Sequence, residues 1–200
     1  MLIVIIVHMI LISINPFTLK RFFVAFLAVI GLFSASCFAD SILLSVRSTP
    51  YDNQMSRIRP VLASDGHNDH GDISLGMVNH WIVDLRSIPY GFSKEWKTPA
   101  ETESGAPADC KAKAVALYER MQEHGAKNVR LVIGKRSPSS RSTHAWLEWD
   151  TRNGSYMLDP TFNWMAYRSA DLGRRSYVPW YAYAGNRKFR AAPETLVAKN

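Results

Sequence analysis

The chain has 200 residues, 47% apolar and 20% charged, which suits one core-burying domain with an extension. Its net charge is +7. The excess is spread along the chain and no recognisable nucleic-acid module carries it, which argues against a DNA or RNA partner.

Residues 1–39 hold two apolar runs. The second, Phe22 to Ala39, follows Lys20-Arg21 and ends in Ser34-Ala35-Ser36-Cys37-Phe38-Ala39. A positive start, an apolar middle and a small-residue exit read as a secretory signal cut after Ala39. The expected location is therefore periplasmic or secreted. The alternatives are an uncleaved inner-membrane anchor and acylation of Cys37; in either case only this segment contacts the membrane. The first run, Met1 to Ile14, is short for a bilayer span and superfluous to a signal beginning near Leu19. Of the two cysteines, Cys37 and Cys110, cleavage leaves Cys110 alone as a free thiol.

Residues 40–72 are rich in Ser, Asp, Asn, Arg, Pro and Gly and read as a flexible linker. Within them Asp65-Gly-His67-Asn-Asp69-His70-Gly-Asp72 has metal-ligating residue types but no defined ligand spacing, so no metal is expected there. The domain proper is read over 73–190. Leu75, Val78, Ile82 and Leu85 recur at helical spacing and predict a helix over 74–86. Pro89-Tyr90-Gly91 breaks it, and Trp96 to Pro107 reads as Pro- and Gly-containing loop.

Asp109 can cap a helix with Cys110 at its start and Gly125 past its end. Residues 128–134 are β-branched and predict a strand. His144 to Trp149 alternates and predicts a second. Thr151-Arg-Asn-Gly154 reads as a hairpin turn, and 155–158 as a third strand ending at Asp159-Pro160. A helix followed by an antiparallel meander is an α+β plan. Residues 164–200 mix aromatics with arginines and read as a wrap over the core, with 191–200 as a frayed tail.

Cys110, His144 and Asp159 fall at a helix start, a strand start and a strand end. A helix N-terminus favours the thiolate and offers N–H groups to an oxyanion. An imidazole on a strand beside a carboxylate on its hairpin partner supplies base and orienter. Each residue alone reads equally well as a buried cysteine, a surface histidine or a turn aspartate; their joint order favours a triad.

A Cys at a helix start, a His on a strand and an Asp on the next strand resemble the core of the transglutaminase-like superfamily, and His144-Ala-Trp146 and Asp159-Pro-Thr161 resemble its second and third motifs. Asn79-His-Trp-Ile-Val and Trp96-Lys-Thr-Pro-Ala-Glu101 resemble, more narrowly, bacterial transglutaminase-like cysteine proteinases. The resemblance spans about residues 73–165. It implies a papain-like core, with the Cys-bearing helix packed on a small antiparallel sheet. It gives Cys110 the role of nucleophile, His144 of base and Asp159 of orienter. Asn79 and Trp96 become oxyanion or packing partners. The implied function is an exported cysteine peptidase or amide hydrolase acting through a thioester on a protein or peptide of the cell envelope. The alternatives are a protein-glutamine acyltransferase and a non-catalytic module binding envelope peptide or glycan. No cofactor is expected. Calcium-dependent members carry acidic residues directly after the cysteine, whereas Lys111 and Ala112 stand here.

Overall fold

Ser74, Thr98 and Asp109 each start a helix for the same reason: a short side-chain oxygen accepts an N–H that the first turn cannot use internally. The computed structural model describes residues 41–64, 73–173 and 176–193, all within a compact unit spanning 39–200. In chain order the principal elements are β1 (Ser41–Ser45), α1 (Arg59–Ala63), α2 (Leu75–Ser87), α3 (Pro99–Glu103), α4 (Cys110–Glu123), β2 (Val129–Lys135), β3 (His144–Thr151), β4 (Gly154–Leu158), β5 (Tyr167–Arg168), β6 (Val178–Ala184) and β7 (Arg187–Pro193).

The seven strands form one antiparallel sheet in the order β1-β7-β6-β2-β3-β4-β5. Strand alternation sends Leu131, Ile133, Ala145, Leu147 and Trp149 into the main core, with Val115, Leu117 and Met121 of α4 and Val78, Ile82 and Leu85 of α2. Burial of each large aliphatic side chain contributes about 1.5–3 kcal/mol. The intervening residues Val132 and Trp146 join Met157 and Ala182 in a second, smaller cluster, with Tyr177 packed against it. By the same alternation His144 shares the face of Trp146; their rings stack with centroids 6.0 Å apart. Helix α4 ends where Gly125 takes a φ of +82° and its N–H returns to the Gln122 carbonyl at 2.9 Å.

Three readings need correction. Residues 41–64 are not a linker: β1 pairs with β7 from Ser41↔Pro193 to Ser45↔Phe189, and Met55, Ile58 and Leu62 are buried in the main core. Four spaced apolar anchors (with Tyr51) outweigh a polar composition. The Asp65–Asp72 stretch lies outside the described residues, as does everything up to residue 40, Cys37 included. Within 164–193, residues 167–168, 178–184 and 187–193 are strands of the sheet rather than a wrap over the core, and 191–193 belong to β7 rather than to a frayed tail; 194–200 lie outside the described residues. The Trp96–Glu101 loop contains the start of α3. Thr98 and Glu101 form a reciprocal capping box around Pro99 at the first helical position, a signature present in the sequence.

Candidate active site

The start of α4 carries Cys110, a free and half-buried thiol. Asp109 Oδ1 accepts the Ala112 N–H at 3.1 Å, and the Asp109 carbonyl accepts the Lys113 N–H at 3.1 Å. The N–H groups of Cys110 and Lys111 make no hydrogen bond among the described residues, as the first turn of a helix dictates.

His144 and Asp159 are brought together by the β3–β4 hairpin. Its register, Leu147↔Leu158 through Thr151↔Gly154, sets the start of β3 beside the residue that follows β4. His144 Nε2 lies 2.7 Å from Asp159 Oδ2, and both side chains are almost wholly buried. Burial favours the protonated acid, but the hydrogen bond and charge of His144, followed by the Tyr177 hydroxyl, hold Asp159 below the usual carboxylate range. The carboxylate therefore accepts and Nε2–H donates, which leaves Nδ1 to exchange protons. For His144, burial pushes the pKa down, yet the hydrogen bond and charge of Asp159 and the contact with Cys110 raise it to about 9. Cys110 and His144 line one small cleft of about 100 Å³ with Tyr90, Arg136, Thr161 and Phe162.

Asp159 is held from four sides. Oδ1 accepts the Thr161 N–H at 2.9 Å and the Phe162 N–H at 3.3 Å, while Oδ2 takes the Tyr177 hydroxyl at 2.7 Å besides His144. Sequence reasoning missed Tyr177, having placed it in a wrap; the apolar run Val178-Pro-Trp-Tyr181 after it is the signal of a strand. Its backbone lies in the left-handed region, φ +54°, which costs a non-glycine residue roughly 1–2 kcal/mol. Its N–H donates to the Arg136 carbonyl at 2.8 Å, and its hydroxyl accepts from Asn163 Nδ2 at 3.2 Å. Burial and the nearby Asp159 charge push its pKa well above the ordinary phenol value, so it remains a donor.

Asn79 and Trp96 do not line the cleft. Asn79 Oδ1 accepts the Ala166 N–H at 2.8 Å, tying α2 to the segment after Asp159. Trp96 is a buried core residue. Asn79 therefore ties two segments together and Trp96 packs in the core, both outside the cleft lining. Lys113, also buried, points its ammonium at the end of α2 and donates to the Ile88 carbonyl at 2.6 Å. Desolvation, then Arg86, lowers its pKa. A larger cavity of about 430 Å³ lies between Asp52, Arg59, Leu62 and Tyr183, but it contains none of Cys110, His144 and Asp159.

The chain matches no family model and no curated protein. Its fold matches solved structures of Legionella pneumophila LapG. The calcium-bound form superposes with a TM-score of 0.50 at 13% identity, covering 72% of this chain and 81% of LapG. Another LapG structure gives a TM-score of 0.50 at 13% identity, covering 76% and 86%. The chain has a transglutaminase-like α+β fold. At that identity the likeness concerns the fold alone. Among the described residues no helix is long and apolar enough to cross a membrane.

Proposed function

We propose that the protein is an exported cysteine peptidase or amide hydrolase whose triad is Cys110, His144 and Asp159. The observation that carries this reading is the buried 2.7 Å His144–Asp159 contact, with Cys110 in the same cleft at a helix N-terminus. The Cys110 sulfur attacks the amide carbonyl carbon, and the carbonyl electron pair moves to oxygen. The N–H groups of Cys110 and Lys111 hold that oxyanion. His144 gives the proton at Nδ1 to the leaving amine as the C–N bond breaks, and a thioester remains. Water, losing a proton to Nδ1, attacks the thioester; the acid leaves and the thiol regains its proton. Asp159 fixes the ring orientation throughout.

The substrate is a protein or peptide of the cell envelope. Arg136 brings a cation to the cleft and Ser140, Ser142, Thr143 and Thr161 bring hydroxyls, with no carboxylate among the lining residues. Calcium, bound in one LapG structure, does not fit the donor set next to Cys110. There the single carboxylate, Asp109, is committed to the N–H groups of Ala112 and Ser93 and to the Lys111 ammonium.

The test is thiol reactivity at neutral pH. Iodoacetamide labels Cys110 in the wild type, and His144→Ala slows labelling by about 100-fold, the low end of the range for general acid–base assistance. Equal labelling in both proteins rejects the triad. Comparison of envelope proteins from wild-type and Cys110→Ala strains then reveals the product. Cleaved chains support hydrolysis, whereas cross-linked chains replace it with acyl transfer.

A further inference from the structure

The first turn of α4 carries a second built feature, directed away from the sulfur. Lys111 Nζ donates to the Ser93 carbonyl at 2.5 Å and to Asp109 Oδ2. The same Asp109 oxygen accepts the Ser93 N–H at 3.2 Å, so Ser93 is gripped through both backbone groups. The ammonium also sits 5.2 Å from the centre of the Phe92 ring, within cation–π range. The Asp109 side chain is 2% exposed and that of Lys111 is 15% exposed. Oxygen donors on one side and a ring face on another form a niche for one positive charge, and a covalently attached charge fills it. A hard divalent cation needs several oxygen ligands and would have to displace this ammonium while remaining beside it.

We propose that the Lys111 ammonium is a tethered cation that clamps Ser93 to Asp109 at the start of the Cys110 helix, so that the geometry of this helix end is independent of calcium. The proposal is independent of Cys110 chemistry, because its readouts are stability and backbone exchange. It also gives a physical role to the lysine that replaces an acidic residue after the cysteine. Lys111 is a positioning residue: it touches neither the sulfur nor the imidazole among the contacts described.

The experiment compares the purified full chain in millimolar calcium and in EGTA, by thermal melting and by hydrogen exchange at the Ser93 amide. Wild type is expected to give the same Tm and the same exchange rate in both. Lys111→Met keeps the length of the stem and removes the charge. It lowers Tm by roughly 3–8 °C and speeds Ser93 exchange in both solutions. Lys111→Arg restores protection. Lys111→Glu turns the niche into a pair of carboxylates with a carbonyl; it melts low in EGTA, and calcium raises its Tm because the ion binds only the folded state. A wild-type Tm that rises with calcium overturns the proposal. So does a Lys111→Met chain with wild-type Tm and Ser93 exchange, or a Lys111→Glu chain that calcium does not rescue. If the substituted chains do not fold, the wild-type comparison decides alone. An unchanged Tm supports the tethered cation and a calcium-raised Tm rejects it.

Discussion

Tyr177 hydroxyl and His144 Nε2 converge on one oxygen of Asp159, so the carboxylate is positioned by a side chain that comes from beyond the hairpin. Removing that hydroxyl leaves Asp159 buried with three partners and Asn163 Nδ2 with the Met157 sulfur, a weak acceptor, at 3.6 Å. Tyr177→Phe is therefore expected to lower stability by about 1–2 kcal/mol, measured by denaturant unfolding. Iodoacetamide labelling of Cys110 in that variant should fall by about tenfold, because the Asp159 oxygen that orients the imidazole loses its second restraint. His144 also ties stability to pH. The folded protein holds its proton to about pH 9, against an ordinary value of 6.5. Its stabilising contribution is complete below about 6.5 and is lost as pH rises through about 9. Wild-type Tm should accordingly decline over that interval, and His144→Gln should flatten the decline. Asp159 acts in the opposite sense: its contribution is present above the ordinary carboxylate range and is lost on acidification.

The elements that frame the cleft depend on one close approach. At Gly134 the pairing of β2 with β6 shifts register, with Ile133 opposite Tyr181 and Gly134 opposite Pro179. The extra residue, Trp180, is accommodated by a bulge inside β6, three residues after Tyr177. A Cβ at Gly134 would lie 2.1 Å from the Val178 carbonyl oxygen and 2.9 Å from Pro179 Cα, both backbone atoms that cannot swing aside. Gly134→Ala is expected to destabilise by about 3 kcal/mol or more, read as a lower urea midpoint. It should also disturb Tyr177, so Cys110 labelling would slow with the loss of stability. Helix α4 and the β2–β3–β4 meander were legible because their signals are local: Asp109 and Gly125 mark the helix ends, and alternation through His144–Trp149 marks the strand. The positions of Cys110, His144 and Asp159 at a helix start, a strand start and a strand end followed from them. Tyr177 was not legible, because its role depends on a bulge and on a pairing across more than 40 residues of sequence, β6 against β2. The sequence marks Lys111 only as a residue that is not acidic after the cysteine; its contacts with Ser93 and Phe92 arise from a loop whose path no periodicity predicts.

At the scale of the whole molecule, apolar spacing proved more informative than composition. Met55, Ile58 and Leu62 lie in a polar stretch, and each is buried. The same holds at the other end, where aromatic residues mixed with arginines belong to strands: Tyr183 is buried and its hydroxyl meets Thr49 Oγ1 at 2.5 Å. Those two ends are neighbours because β1 lies against β7, and β6 and β7 sit inside the sheet between β1 and β2. The order of synthesis therefore conflicts with the order of assembly. The first strand to be made waits for residues 187–193 before it has a partner, and β2 presents an unpaired edge until residues 178–184 arrive. Long-range antiparallel closure of this kind is slow, since chain ends must meet before any pairing rewards them. A nascent chain of this topology leaves β1 and one edge of β2 unpaired until residues 178–193 have been made, so its sheet closes only after that segment is available.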